Sequence, residues 1–148
     1  MKRAMLLFVF CLLGGMAAQA QEFKVITVIE SIVPGGLGRS RMIETISETE
    51  VEDFTTERTD GTSSDQGKIR RRDAKVDNFE ETKLLNFYSL TGINFQNIAS
   101  NDALITSKLN QLSADGWELK FMSSGVEGDG GETDGNGIFI TRFVFTRN

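Results

Sequence analysis

The chain has 148 residues, 16 basic against 21 acidic side chains, a net charge of −5, no histidine and one cysteine. The missing histidine removes the usual general base, the commonest metal ligand and every Ser-His or Cys-His arrangement. The acidic balance argues against nucleic acid and anionic membrane surfaces, both of which need clustered positive charge.

Lys2 and Arg3 make a short positive start, Met5 to Leu13 is an unbroken apolar run, and Ala18-Gln19-Ala20 supplies the small residues of a signal-peptidase cut. Met1–Ala20 is therefore expected to be a cleavable signal peptide, since the run falls far short of the roughly 20 apolar residues of a membrane span. Cys11 lies inside the run after Phe10, away from any lipoprotein cut. Cleavage removes two positive charges and the only cysteine, which takes the charge from −5 to −7. The remainder, 21–148, is expected to be one exported domain, periplasmic or secreted, with no stable membrane span and no disulfide.

Phe23 to Ile32 is rich in β-branched residues with apolar groups at both parities, as in a strand with neighbours on each side. Pro34-Gly35-Gly36-Leu37-Gly38 ends it, and a shorter strand returns at Arg41 to Ile46. From Ser47 to Glu81 charges dominate and apolar residues are sparse, so 47–81 reads as a long, partly mobile surface insertion. Leu84, Leu85, Phe87 and Tyr88 then bring the chain back to the core.

The clearest helix follows. Ser100 or Asn101 can cap it, Asp102 lies near its positive end, and Asp115-Gly116 closes it. Ile105, Leu109 and Leu112, with Leu104 alongside, form one apolar stripe. Trp117-Glu118-Leu119-Lys120-Phe121 alternates, which places Trp117, Leu119 and Phe121 on one core-facing side of a strand. A Gly/Asp-rich stretch leads to a last strand at Ile138 to Phe145, antiparallel to the one before. The expected fold is α+β in two layers: a small antiparallel sheet of three or four strands packed by one main helix, with a long charged insertion.

Leu109-Asn110-Gln111-Leu112, Gly116-Trp117-Glu118-Leu119, the ending Phe143-Val144-Phe145-Thr146-Arg147 and the opening Phe23-Lys24-Val25-Ile26 together carry a resemblance. The chain resembles a family of very small bacterial domains of unknown function that open with an aromatic-Lys-Val-Val strand and carry a Leu-rich helix ending in Gly-Trp-Glu-Leu. The likeness covers the first strand and the residues from Asn101 onward. It implies a sheet-and-helix unit and no chemistry. The whole chain is also similar to short exported proteins of Bacteroidetes-type bacteria.

Thiol catalysis is lost with Cys11, and neither a Ser-x-x-Lys pair nor a Gly-x-Ser-x-Gly elbow is present. A carboxylate-based hydrolase remains open, but most acids sit in charged stretches where nothing would split their pKa values. In the 127–137 loop, Glu132, Asp134 and Asn136 alternate ahead of Gly137, like the first half of a calcium loop. Phe143 stands where the bidentate glutamate belongs. Lys68-Ile69-Arg70-Arg71-Arg72 has Asp65, Asp73 and Asp77 close by, which favours a solvated charged face over an anion site. Gly35-Gly36-Leu37-Gly38 lacks the Lys-Ser/Thr of a phosphate loop. The expected function is a non-enzymatic exported module with no cofactor, binding a protein or glycan at the cell envelope. The alternative is a calcium-stabilised structural module using Glu132, Asp134 and Asn136.

Overall fold

The computed structural model of the chain describes residues 20–33, 40–127 and 137–148. The expected signal peptide, except Ala20, lies outside these residues, and so do Gly35, Gly36, Leu37 and Gly38. Among the described residues no helix is long and apolar enough to cross a membrane.

Five strands form one antiparallel sheet: β1 (Glu22–Ser31), β2 (Arg41–Thr45), β3 (Phe79–Lys83), β6 (Glu118–Glu127) and β7 (Ile138–Arg147). Their order is β3-β2-β1-β7-β6. β4 (Tyr88–Ser89) and β5 (Gly92–Ile93) make a separate small hairpin. β1 is central, as its β-branched run at both parities predicts, pairing with β2 through Thr27↔Ile43 and with β7 over its whole length. β6 and β7 are antiparallel, as expected. Among the described residues the architecture is mixed α and β with one long helix, but the sheet is larger than three or four strands.

The additional strand comes from the charged segment. Phe79, Glu80 and Glu81, expected in the 47–81 insertion, begin β3 and pair with Thr45, Glu44 and Ile43. An edge strand facing water needs little apolar surface, so its composition resembles a loop. The rest of the segment carries two 3-10 turns, Val51–Phe54 and Asp65–Lys68, the second capped by the Ser64 hydroxyl.

Helix α1 runs from Phe95 to Ala114 and starts well before Ser100. Asn94 is the N-cap, its side chain accepting the Asn97 N–H at 3.1 Å. Asn101, expected as a cap, lies inside the helix and is fully buried. The helix ends where the sequence says it should. Gly116 takes φ +84°, its N–H donates to the Ser113 carbonyl, and the Trp117 N–H donates to that of Leu112. This is a Schellman closure, which favours glycine at the left-handed position.

The core is Ile26, Val28, Met42, Leu84, Leu112, Phe143 and Phe145, with Ile105, Leu109 and Trp117 packed against it. It lies between α1 and one face of the sheet. Only part of the expected return at 84–88 is buried: Leu84 and Asn86 point inward, whereas Leu85 and Tyr88 are exposed.

Candidate functional site

On the helix-covered face the sequence places charges where a core would ordinarily be apolar. Glu44 lies across from Ile26 in the β1–β2 ladder and is buried. Lys24, two residues earlier on β1, reaches its Oε1 at 2.5 Å. Lys108, on the helix stripe that also carries Asn101, Ile105 and Leu112, meets its Oε2 and lies 4.0 Å from Glu80. Burial raises the Glu44 pKa, but hydrogen bonds from Lys108 and Lys24 outweigh it and leave it below the ordinary carboxylate value. A carboxylate held by two ammonium groups is fixed in its ionised form. It suits anchoring α1 to β1 and β2 and is a poor proton donor.

A second polar cluster ties the 84–87 segment between sheet and helix. The Ser31 N–H donates to Ser40 Oγ at 2.9 Å, and the Ser40 hydroxyl donates to Asn86 Oδ1 at 2.8 Å. Asn97 Nδ2 donates to the Asn86 carbonyl at 2.8 Å. Asn101 Nδ2 donates to both Glu30 Oε1 and the Leu85 carbonyl. Burial pushes the Glu30 carboxyl above its ordinary value, the Asn101 hydrogen bond opposes this, and the charge of Asp102 adds to it.

Trp117 and Leu119 lie on the helix side and line one cleft, whereas Phe121, expected beside them, turns to the opposite face. Trp117 precedes β6 and is half-buried, with Lys24 Nζ 5.1 Å and Arg147 Cζ 4.5 Å from its ring. Such cation–π contacts make the ring a partly wet cap on the core rather than a central member. Trp117, Leu119, Leu109 and Phe145 line a cleft of about 420 Å³ between the end of α1 and β6. Another cleft of about 240 Å³ is lined by Ser40, Arg41, Glu81 and Lys83, and there Arg41 is hydrogen-bonded to both oxygens of Glu81 at 2.7 Å.

β6 breaks its own alternation. Leu119 pairs with Phe145, yet Phe121 pairs with Val144, so Lys120 is the extra residue of a bulge. The bulge puts Leu119 on the helix side with Met122 and Val126, and turns Phe121 to the opposite face. Every residue of β6 is exposed, including Leu119 (46%), Phe121 (61%), Met122 (56%) and Val126 (60%). The alternation at Trp117–Phe121 had suggested a core strand. The neighbouring pair Phe121-Met122, apolar at both parities, was the sequence signal that both faces are used.

The sheet face away from α1 has no covering layer among the described residues. Phe121 pairs with Val144 and Val144 with Val25, while Phe79 pairs with Thr45 near the far edge. Phe23, Val25, Phe79 and Phe121 are exposed there, Phe23 at 66%. Ile29, Ile43 and Ile140, on the same face, are intermediate.

Glu132, Asp134 and Asn136, the expected calcium ligands, lie outside the described residues, bracketed by the pair Glu127↔Ile138. Among the described residues no group of three or more acidic, histidine or cysteine side chains could hold a metal. The basic run is partly neutralised locally: Lys68 pairs with Asp65 at 2.9 Å, and Asp73 takes Arg70 at 2.7 Å and Arg72 at 3.3 Å. Comparison with known protein families, curated proteins and solved structures finds no match.

Proposed function

We propose that the protein is an exported, non-enzymatic binding module that takes a protein partner at the cell envelope on the open face of its sheet. The observation that carries this reading is the one-sided architecture. α1 covers one face, while the other presents Phe23, Val25, Phe79 and Phe121 to solvent across both edges and the centre. Contiguous exposed apolar surface of this kind marks interaction sites more often than ordinary surface does. Export is supported by the signal-like Met1–Ala20.

Carboxylate hydrolysis has less support. Glu30 is shifted in the direction a general acid requires, but its oxygen accepts from Asn101. The two clefts are lined by neither Glu30 nor Glu44.

The test is affinity capture of tagged protein from its own envelope, wild type beside Phe23→Ser and Phe79→Ser. One stoichiometric partner retained by wild type and lost by the variants is the expected result. No partner, or a partner held equally by all three, would overturn the open face as the binding surface.

A further inference from the structure

The two edges of the sheet are built differently. β3 has five residues, three of them charged (Glu80, Glu81 and Lys83), and Glu81 is tied to Arg41. Short, charged edges of this kind resist pairing with another chain. β6 has ten residues, keeps its three charges (Glu118, Lys120 and Glu127) toward its ends, exposes apolar side chains on both faces, and has Lys120 already bonded to Glu118 at 2.6 Å. A long apolar edge with free ladder groups is a template for a further strand.

We propose that the occupant is a second copy of this chain, its β6 running antiparallel to the first about a two-fold axis perpendicular to the sheet at Ser123. Such an axis keeps both helices on one side, so facing residues must come from the same face. It must therefore pass through a residue and not between two. An axis on Ser123 sets Phe121 opposite Gly125 of the second copy and Met122 opposite Ser124. The bulge at Lys120 then brings Leu119 opposite Val126.

The order of side chains in β6 fits this register. Phe121 covers the bare backbone at Gly125, a favourable aromatic–glycine pairing. Leu119 and Val126, both exposed in the single chain, become cross-strand neighbours. Val126 of the second copy comes beside Leu119, at the open side of the cleft lined by Trp117, Leu119 and Phe145. The same register sets Glu118 opposite Glu127 of the second copy, with the Lys120 ammonium, bonded to Glu118 at 2.6 Å, beside that pair. Symmetry makes each contact twice. An axis on Met122 would set Leu119 against Ser124 and carry Val126 past the end of β6 to Trp117, and one on Ser124 would set Phe121 against Glu127. The dimer is independent of the open-face reading, because it widens that face to twice its five strands without covering it.

The experiment uses protein expressed from the full chain with Cys11→Ser, so that no native thiol interferes. Light scattering after size exclusion, over a range of concentrations, reads the mass. Mild oxidation of Ser123→Cys and Ser124→Cys reads the register. The expected result is twice the monomer mass, near-complete disulfide cross-linking at 123 and background at 124, because only the axial pair comes within disulfide reach. Met122→Lys with Val126→Lys is expected to give a monomer with an unchanged circular dichroism spectrum. A monomer at every concentration, equal cross-linking at both positions, or wild-type β6 covered by a different protein would overturn the proposal.

Discussion

Asn101 holds Leu85 by both of its backbone polar groups: the Leu85 N–H donates to Asn101 Oδ1 at 2.8 Å, and Asn101 Nδ2 donates to the Leu85 carbonyl at 2.7 Å. One side chain on α1 thus does for the 84–87 segment what a neighbouring strand does for β1. It is also why a polar residue sits fully buried in the middle of a helix, where asparagine would ordinarily be unfavourable.

Asn101→Ala should therefore destabilise the domain by about 2–3 kcal/mol, since it leaves polar groups of Leu85 without partners. Urea denaturation of the variant against wild type checks this. A loss near that of an exposed-surface substitution would show that the segment is held by other contacts.

Glu44 neutralises two lysines at once, and removing it takes the carboxylate from Lys24 and leaves Lys108 only Glu80 at 4.0 Å. Glu44→Gln should cost about 3 kcal/mol at neutral pH, as for breaking a buried pair. The folded-state pKa is lowered, so this contribution is complete above the ordinary value of 4.5 and is lost as pH falls through the lower folded value. Wild type and variant should converge in stability when melting curves are followed downward from pH 4.5.

Glu30 has the opposite sign. Its folded pKa is raised, so the ionised form costs stability at neutral pH and protonation on acidification relieves that cost. Glu30→Gln keeps an oxygen for Asn101 and removes the charge near Asp102. It should stabilise by no more than about 1 kcal/mol at pH 7, with the gain shrinking as pH falls through the carboxylate range. Thermal melts at pH 7 and pH 4.5 decide it.

Gly116 sits at φ +84°, and a Cβ added there would come no closer than 3.8 Å to Arg147 Cδ. Space is available, so the cost of Gly116→Ala is conformational, about 1–2 kcal/mol for an L-residue in the left-handed region. Gly137→Ala should cost more. Its Cβ would fall 2.6 Å from Ile32 Cγ1, at the point where the Ile32 N–H meets the Gly137 carbonyl. Chemical denaturation of the two variants side by side should rank them in that order.

Several elements were legible without the structure because their signals are local. β1 announced itself through β-branched residues at both parities, which asked for a neighbour on each side, and the return at Arg41 to Ile46 supplied β2 as one of them. The end of α1 was written in Asp115-Gly116, because only a residue tolerant of positive φ closes a helix that way. The basic run beside its aspartates read as a solvated charged face, and its exposed ion pairs with Asp65 and Asp73 agree. The start of α1 was misplaced because asparagine and serine serve equally as caps and as buried hydrogen-bonding residues. The choice between those roles depends on Leu85 and Glu30, one of them 71 positions away.

By itself, then, the sequence determined the class of fold, the central strand, the helix and its closure, and the absence of histidine chemistry. Each of these depends on a residue's own backbone preference or on its near neighbours in the chain. Only the tertiary structure decided that Phe79–Lys83 is a strand, that a bulge at Lys120 turns Phe121 away from Leu119, and that β6 forms an edge. Side-chain alternation reads the same in a central strand and in an edge strand. Burial depends on which neighbours the chain brings alongside, and that is settled by pairings such as Ile26↔Phe143, formed between residues far apart in the sequence.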